Sequence, residues 1–365
     1  MLSKLLKYPL LLITLLLALC LFVGSASAWI RPSTSMLPTY LGVAFPAIAL
    51  LNILMGLFWI TKFKWYLAIP TLSIILCGHN LQKTIGLHKQ SGKATETEGD
   101  EGKKLKILSY NVKLFDFYNK KTQILNYLLE QDADVVCLQE FGYYTGSETR
   151  FLDRKMIMAE MAKKYPHHHF SQSDLKMKGT YGMATFSKYP MVKHENVGVE
   201  SRYESAIYSD LKVGNDTVRV INLHLESNKL TTSDRNTLQH LLVSDSTNNK
   251  AKALNKKISE AYNIREKQAD KVAELVNAST MPVVICADIN DVPVSYTYST
   301  LIGQKLTDSF VEKGTGYGAT YNEGLIKFRI DDIMHSKELK ALSYKKDKVP
   351  YSDHYPIVVE LGIGE

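Results

Sequence analysis

Cysteine is scarce in this chain, with four in 365 residues. No two are spaced like zinc ligands or the pairs of a disulfide framework. Cys20 and Cys77 lie in apolar segments. Cys137 and Cys286 sit inside the strand-like runs VVCLQE and VVICADIN, where a thiol behaves as a small buried hydrophobe. Thiolate–metal and disulfide-scaffold classes are therefore set aside. Most of the chain also lacks an excess of charge of one sign. Residues 1–102 hold eight Lys/Arg and four acids, so of the chain's 44 and 37, residues 103–365 keep 36 basic and 33 acidic. A domain that depends on phosphate-backbone attraction carries a stronger basic excess or a clear stripe. Tight binding to long nucleic acids is correspondingly disfavoured. Internal repeats and long low-complexity tracts are missing too.

Apolar residues are plentiful but unevenly placed. Three hydrophobic runs, at about 9–30, 39–61 and 65–87, predict a membrane anchor of three transmembrane helices over residues 1–87, since about 20 apolar residues cross a bilayer. The first run reads as an uncleaved helix, with Trp29 as an interfacial anchor. A signal peptide cut among the small residues Ser25, Ala26, Ser27 and Ala28 is the alternative. The third run carries Pro70, Gly78, His79 and Asn80, of which His79 and Asn80 read as interface or helix-contact residues. Lys4, Lys7, Lys62 and Lys64 flank the runs and belong on the cytoplasmic side. Either fate of the first run then leaves the rest of the chain outside. Residues 88–102 are polar and contain glycine, which predicts a flexible linker.

From Lys104 onward, short apolar strands alternate with amphipathic helices. LKILSYNV, DVVCLQE, GMATFSK, AIYSDLKV, VRVINLHL, PVVICADIN, FRIDDIMH and YPIVVEL read as strands. Ile124, Leu125, Leu128 and Leu129 have helical spacing over 119–130. Ile264, Ala269, Val272, Leu275 and Val276 do the same over 260–277. The pattern predicts an α/β catalytic domain over 103–365, a four-layer α+β sandwich of two packed mixed sheets flanked by helices. Residues 227–258, with Lys229, Arg235, Lys252, Lys256 and Lys257, read as an enlarged loop. His167, His168 and His169 are adjacent in an extended segment and so point to opposite faces, which argues against a shared metal.

Polar residues recur at the ends of the apolar strands: Asn111, Glu140, Asn222 with His224, Asp288 with Asn290, Asp331, and Asp353 with His354. A strand end holds a side chain rigidly at the rim of a sheet, which suits a preorganised site. Singly, such residues serve turns or face solvent. In this order, SYNVKLF, CLQE, YGMATFSKYP, INLHLES, CADIN, FRIDDIM and YSDHYPIVVEL resemble the signature segments of the endonuclease/exonuclease/phosphatase superfamily, over about 104–363. The SDH-Y-P-I and LQE segments are the most specific. The resemblance implies a deoxyribonuclease-I-like fold and Mg²⁺-dependent hydrolysis of phosphoesters, with Mn²⁺ as a substitute. It implies Glu140 as the main metal ligand, with Asn111 and Asp353. Mg²⁺ prefers oxygen ligands and keeps several waters, so one or two carboxylates suffice. The resemblance pairs His354 with Asp331, Asp332 being the neighbour one residue on. A carboxylate partner fixes the imidazole tautomer and raises its pKa, so His354 serves as a base or as a charge stabiliser. Asp288 is implied as the activator of water, Asn290 as a phosphate hydrogen-bond donor, and His224 as a phosphate contact or leaving-group acid, supported by Asn222. Tyr262 opens a Tyr-to-Arg helix start whose tyrosine touches phosphate or simply packs. Lys113 departs from the acid usual there in abasic-site endonucleases.

Two functions follow. The first is a phosphoester hydrolase on the outer side of a membrane, acting on nucleic acid, a phospholipid head group or a small phosphate ester, with the bilayer bound through the N-terminal helices and no obligate protein partner. The second is an inactive binding or scaffold module of the envelope on the same fold. Mg²⁺-dependent activity that chelation abolishes would separate them.

Overall fold

The apolar runs after Lys104 form two six-stranded sheets, and helices cover both outer faces. The computed structural model describes residues 4–62, 64–88, 103–143, 154–175, 179–201, 205–231, 233–234, 248–324 and 327–364. Its helices in chain order are α1 (Lys4–Ser25), α2 (Met36–Val43), α3 (Phe45–Thr61), α4 (Ala68–Gln82), the short α5 (Lys113–Phe117), α6 (Lys121–Glu130), α7 (Arg154–Met161), α8 (Asn248–Ala278), α9 (Tyr296–Ile302) and α10 (Ser309–Lys313). The strands are β1 (Ile85–Leu87), β2 (Lys104–Asn111), β3 (Val135–Phe141), β4 (His167–Leu175), β5 (Gly179–Ser187), β6 (Met191–Asn196), β7 (Ser205–Val213), β8 (Asp216–His224), β9 (Val283–Asp288), β10 (Leu306–Asp308), β11 (Thr315–Tyr317), β12 (Asp331–Ser336), β13 (Leu339–Lys346) and β14 (Ile357–Ile363).

One sheet runs β13-β14-β2-β3-β5-β4 and the other β10-β12-β9-β8-β7-β6. Each contains one parallel pair, β2 with β3 and β8 with β9, in an otherwise antiparallel order. Strands buried on both faces read as nearly continuous apolar runs. In β2, Leu105 and Ile107 face the second sheet, where they meet Val220, Val284 and Ile333, and the thiols Cys137 and Cys286 lie in this same inter-sheet core. Leu108 and Tyr110 face the other way, against Ile124 and Leu128 of α6 and Ile157 and Met161 of α7. On the far face of the second sheet, Ala269, Val272 and Val276 of α8 pack on Ile221 and Ile285. Burying each such Leu, Ile or Val side chain stabilises the fold by about 1.5–3 kcal/mol. The order of layers is helix, sheet, sheet, helix.

Two expectations need correction. The segment expected as a loop over 227–258 is helical from Asn248, because α8 begins there rather than near 260. Its residues 235–247 lie outside the described residues, as does the linker expected at 88–102 apart from His88. The three expected membrane spans are not three long helices. Among the described residues one helical run, Leu6–Ala28, is long and apolar enough to cross a bilayer, or two if the bent pair α2–α3 counts as one span, a test that a signal sequence also passes. The second run breaks at Ala44, where α2 and α3 meet at 66°. Pro46 lies in the first turn of α3, a position where its missing N–H costs nothing, so a new helix starts there. The third run opens with a 3₁₀ turn at Trp65–Leu67 and leaves α4 only 15 residues.

Helices α1, α3 and α4 pack on one another with polar groups inside. Asn52 Nδ2 donates to the carbonyls of Leu17 and Ile48 at 3.1 and 3.0 Å. Trp59 Nε1 donates to Thr14 Oγ1 at 3.0 Å, and Asn80 Nδ2 to Ser25 Oγ at 2.7 Å. Leu12, Leu16, Leu19, Leu54, Leu57 and Leu76 stand exposed on the outside.

Candidate functional site

The C-terminal ends of the parallel strands and the starts of their antiparallel neighbours lie at one edge of the sandwich. Asn111 ends β2, Glu140 lies near the end of β3, His224 ends β8 and Asp288 ends β9. Asp331 opens β12 directly opposite Asp288, and His224 is the β8 partner of Asp288 in register. Asp353 and His354 precede β14, with His354 bridged to Tyr321. Residues far apart in sequence thus converge because the ladder registers place them at the same level.

Local backbone strain aims two of them. The β3–β5 register slips between Leu138 and Phe141, and Glu140 has a φ of 47°. Asn290 has a φ of 50°. Positive φ in a non-glycine residue costs on the order of 1–3 kcal/mol and persists where the surroundings over-determine it. The whole of α5 is a left-handed turn, from Lys113 (φ 46°) to Tyr118 (φ 71°). It hangs from Asn111, whose Oδ1 accepts the Lys113 N–H at 3.0 Å.

The polar groups form one connected set. Asn111 Nδ2 donates to Asp288 Oδ2 at 2.9 Å and to Glu140 Oε1 at 3.2 Å. Asp288 Oδ1 accepts the Asn290 N–H at 3.0 Å, while Asn290 Nδ2 donates to the Leu225 carbonyl at 3.0 Å. His354 Nδ1 and Asp331 Oδ2 are 2.8 Å apart, and His354 Nε2 stands 3.8 Å from Asp288 Oδ2. Asp332 instead pairs with the buried Arg329, which also holds Asp308 at 2.7 Å. Asp331 therefore, and not Asp332, reaches His354.

Burial opposes charge on His354, but the carboxylates of Asp331 and Asp288 outweigh it and raise its pKa to about 10. Burial pushes the Asp331 carboxyl up, against the pull of His354. Burial also works against the Asp353 carboxylate. His354 and the Lys113 ammonium, 2.8 Å from Asp353 Oδ2, nevertheless hold its pKa below the ordinary value. Lys113 in turn is raised, burial being more than offset by Asp353.

Of these groups, Glu140, Asp288, Asn290, Asp353 and His354 line a cavity of about 320 Å³. His224 Nε2 is buried with no hydrogen-bond partner among the described residues, 3.6 Å from Asp288 Oδ2 and 3.9 Å from Glu140 Oε1. An orphaned imidazole nitrogen facing two carboxylates fits a site that takes a further group between them. The donor set is of hard oxygens, which suits Mg²⁺ or Mn²⁺. Glu140 has its side chain 27 % exposed, and it lines the cavity. Asn111 turns its amide nitrogen, rather than its oxygen, toward Glu140. Asp288, Asp331 and His354 also bring ligand-type atoms within 4.8 Å of one another.

Other expected residues stand back from the cavity or at its rim. Tyr262 lines the cavity, and its hydroxyl donates to Asp291 at 3.3 Å. Asn222 is fully buried between the sheets, accepting from Gln139 at 2.8 Å and donating to the Ala184 carbonyl at 3.0 Å. His169 lies against His194, with ring centroids 4.9 Å apart, while His168 packs on Phe170. Sequence reasoning missed Arg265, which is buried and holds the Glu226 carbonyl and Asn228 beside the cavity. Its place one helical turn after Tyr262 was the available signal. It also missed Thr320, whose Oγ1 accepts the N–H groups of Ile330 and Asp331. Val43 of α2 lines the cavity as well, and nothing in the sequence pointed there.

Comparison with known proteins agrees with this architecture. The chain is similar in structure to an endonuclease/exonuclease/phosphatase from Beutenbergia cavernae, with a TM-score of 0.53 and 17% identity over 72% of each chain. It is similar to an endonuclease/exonuclease/phosphatase family protein from Leptotrichia buccalis, with a TM-score of 0.50 and 16% identity over 70% of this chain and 99% of that one. TDP2 of D. rerio, solved with a single strand DNA product, matches with a TM-score of 0.50 and 16% identity over 71% and 99%. At such identities the likeness is one of fold. No curated protein matches the sequence. A family described as a domain of unknown function matches residues 4–84. Residues 108–354, which contain every strand-end residue of the cavity, match the model of the Endonuclease/Exonuclease/phosphatase family, and the chain belongs to that family.

Proposed function

We propose that the chain is a divalent-metal-dependent phosphoester hydrolase held at a membrane by its N-terminal helices, with the catalytic domain on the extracytoplasmic side. The observation that carries this reading is the linked set of Glu140, Asn111, Asp288, Asn290, His224 and the Asp331–His354 pair around one cavity. Glu140, with Asp353, would hold Mg²⁺, while Asn111, expected as a ligand, has its oxygen on the Lys113 N–H and its amide nitrogen on Glu140 and Asp288, so that here it orients the two carboxylates. Bound there, the ion supplies positive charge against which phosphoryl oxygens are neutralised. The protein groups do the rest. Asp288, fixed through Asn111 and the Asn290 N–H, takes the proton of the attacking water. His354, fixed by Asp331, acts at the phosphate as a base or a cation. His224 contacts the phosphate or protonates the leaving oxygen, and Tyr262 borders the substrate. Nucleic acid, a lipid head group and a small phosphate ester all offer the bond required, and the relative solved with a single strand DNA product brings the first of these forward.

Membrane attachment is supported by the apolar exterior of α1, α3 and α4 and by the polar groups Thr14, Asn52 and Ser73 buried among them beside Leu21, Phe45 and Cys77. Lys7 lies over the Tyr66 ring at 5.5 Å, at the same end as Lys62 and Lys64. The catalytic domain is at the opposite end, which the positive-inside rule assigns to the outer side.

Glu140→Gln tests the reading. The substitution should lower turnover of a chromogenic phosphate ester by about 10²-fold or more, in the range expected for loss of an electrostatic group. It should weaken Mg²⁺ binding and leave the circular dichroism spectrum unchanged. Wild-type turnover at limiting Mg²⁺ would remove Glu140 from the metal site. Failure of the wild-type protein to hydrolyse any phosphoester with Mg²⁺ or Mn²⁺ would leave the inactive-module reading in its place.

A further inference from the structure

The cavity shares a wall with the helical anchor. Beside its polar groups stand five apolar side chains, Val43, Leu230, Val292, Phe328 and Ile330. Four come from the catalytic domain and Val43 comes from α2. A phosphate group gains nothing from such a wall, whereas an alkyl chain gains by every methylene it buries there.

The anchor is docked on the sandwich from both of its returning chain segments. After α1, the buried Ser27 hydroxyl donates to the Val294 carbonyl at 2.7 Å. Val294 packs in one cluster with Leu21, Phe45 and Ile48. Arg31 Nη1 lies 2.8 Å from both Glu266 and Asp270 of α8, and Ser33 bonds Glu266 through its N–H and its hydroxyl. Tyr40 of α2 donates to Asn255 of α8. After α4, the buried Arg329 donates to the Lys83 carbonyl at 2.7 Å. Buried contacts at two separate points fix the direction in which the cavity opens relative to the apolar exterior of α1, α3 and α4.

We propose that the cavity takes a lipid phosphoester from the bilayer in which these helices lie. The inference rests on the hydrolase reading and assigns its substrate class. The phosphate sits among Glu140, Asp288, Asn290 and His354, and the alkyl part runs along Val43 and its apolar neighbours toward the bilayer. The reaction is hydrolysis. Water adds its oxygen to phosphorus, the P–O bond to the lipid alcohol breaks, and the departing oxygen takes a proton. The modest basic excess of residues 103–365 agrees with a substrate that is not held through many phosphates.

The experiment uses the full chain in dodecyl maltoside micelles with Mg²⁺. The probes are methyl, octyl and dodecyl phosphates, read by release of inorganic phosphate, and methyl, octyl and dodecyl p-nitrophenyl phosphates, read by nitrophenolate. A 5′-labelled single-stranded oligonucleotide is run beside them. The expected result is that kcat/KM rises by about tenfold or more from methyl to dodecyl in at least one series. The dodecyl-to-methyl ratio should fall by about fivefold or more in Val43→Asp and, from the opposite wall, in Leu230→Asp. A ratio unchanged in both variants would trace the preference to partition into micelles and overturn the proposal. Faster cleavage of the oligonucleotide than of any dodecyl ester would overturn it as well. If no probe is hydrolysed, the hydrolase reading itself fails, an outcome distinct from hydrolysis without chain-length preference.

Discussion

At the scale of single residues, partnership decides what each titratable group does. The Asp331 carboxylate orients and charges the His354 imidazole from 2.8 Å. Loss of the histidine should therefore remove most of what the acid contributes. His354→Ala and Asp331→Ala are each expected to cost about 10²-fold or more in kcat. The double variant should match His354→Ala alone, because residues acting as one unit are non-additive. Rate losses that simply multiply would show that the two act separately. Lys113 is the second case. Its ammonium sits on Asp353 at 2.8 Å, where it would compete for the carboxylate with the Mg²⁺ proposed above. Lys113→Met should tighten Mg²⁺ binding by about threefold to tenfold, given the size of a screened charge pair near a protein surface. Isothermal titration with Mg²⁺ checks this, and weaker binding would mean that Lys113 helps to build the metal site. The sequence showed Lys113 as a departure from the family pattern. It could not show the left-handed turn that carries the ammonium to Asp353, because no glycine or asparagine in Lys113–Phe117 marks those positive φ values.

At the scale of elements, hydrophobic patterning located the eight inner strands of the two sheets, because strands buried on both faces read as apolar runs, and missed the edge strands β4, β6, β10 and β13, of which β6 is largely exposed and β13 alternates. The strand expected over FRIDDIMH starts only at Asp331, since Thr320 Oγ1 takes the N–H groups of Ile330 and Asp331. The start of α8 was legible less well, because its first turns are rich in Lys and Asn and their apolar stripe, Ala251, Leu254, Ile258 and Ala261, is sparse. One element has a pH-dependent energy of its own. His169 of β4 faces His194 of β6, and burial, reinforced by the neighbouring imidazole, lowers its pKa to about 4 from 6.5. Its neutral form is thus favoured in the folded state. Between pH 6.5 and about 4 the unfolded chain binds the extra proton, so this contribution is complete above 6.5 and is lost as pH falls through that window. The loss is on the order of 2 kcal/mol. Urea unfolding of the full chain in detergent should show a smaller drop in stability from pH 7 to pH 4.5 for His169→Gln than for wild type. Equal drops would show that His169 is not the group responsible.

At the scale of the whole molecule, the N-terminal helices and the sandwich form one docked unit, through Ser27, Arg31, Ser33, Tyr40 and Lys83. This changes what the N-terminal segment is for, since its α2 forms part of the cavity wall. The proposed orientation has a direct test. A reporter that works only after export, fused after Glu365, should be active, and a cytoplasmic reporter at the same place should be silent. The reverse result would put the catalytic domain inside and reverse the assignment drawn from Lys4, Lys7, Lys62 and Lys64.

The sequence alone determined the alternation of strands and helices after Lys104 and the identity of the polar residues at strand ends. Those features are local, set by hydrophobic periodicity and by residue type. Tertiary structure alone decided the rest. Whether Asp331 or Asp332 meets His354 depends on which face of β12 each occupies, and Arg329 with Asp308 claims the second. The number of long apolar helices depended on a break at Ala44 and a late start at Ala68, where chain direction outweighs composition. The presence of Val43 in the cavity depended on packing between segments that no sequence period relates. Contacts of that kind are set by the summed burial of many side chains on docking, a quantity that belongs to surfaces brought together and to no single stretch of chain.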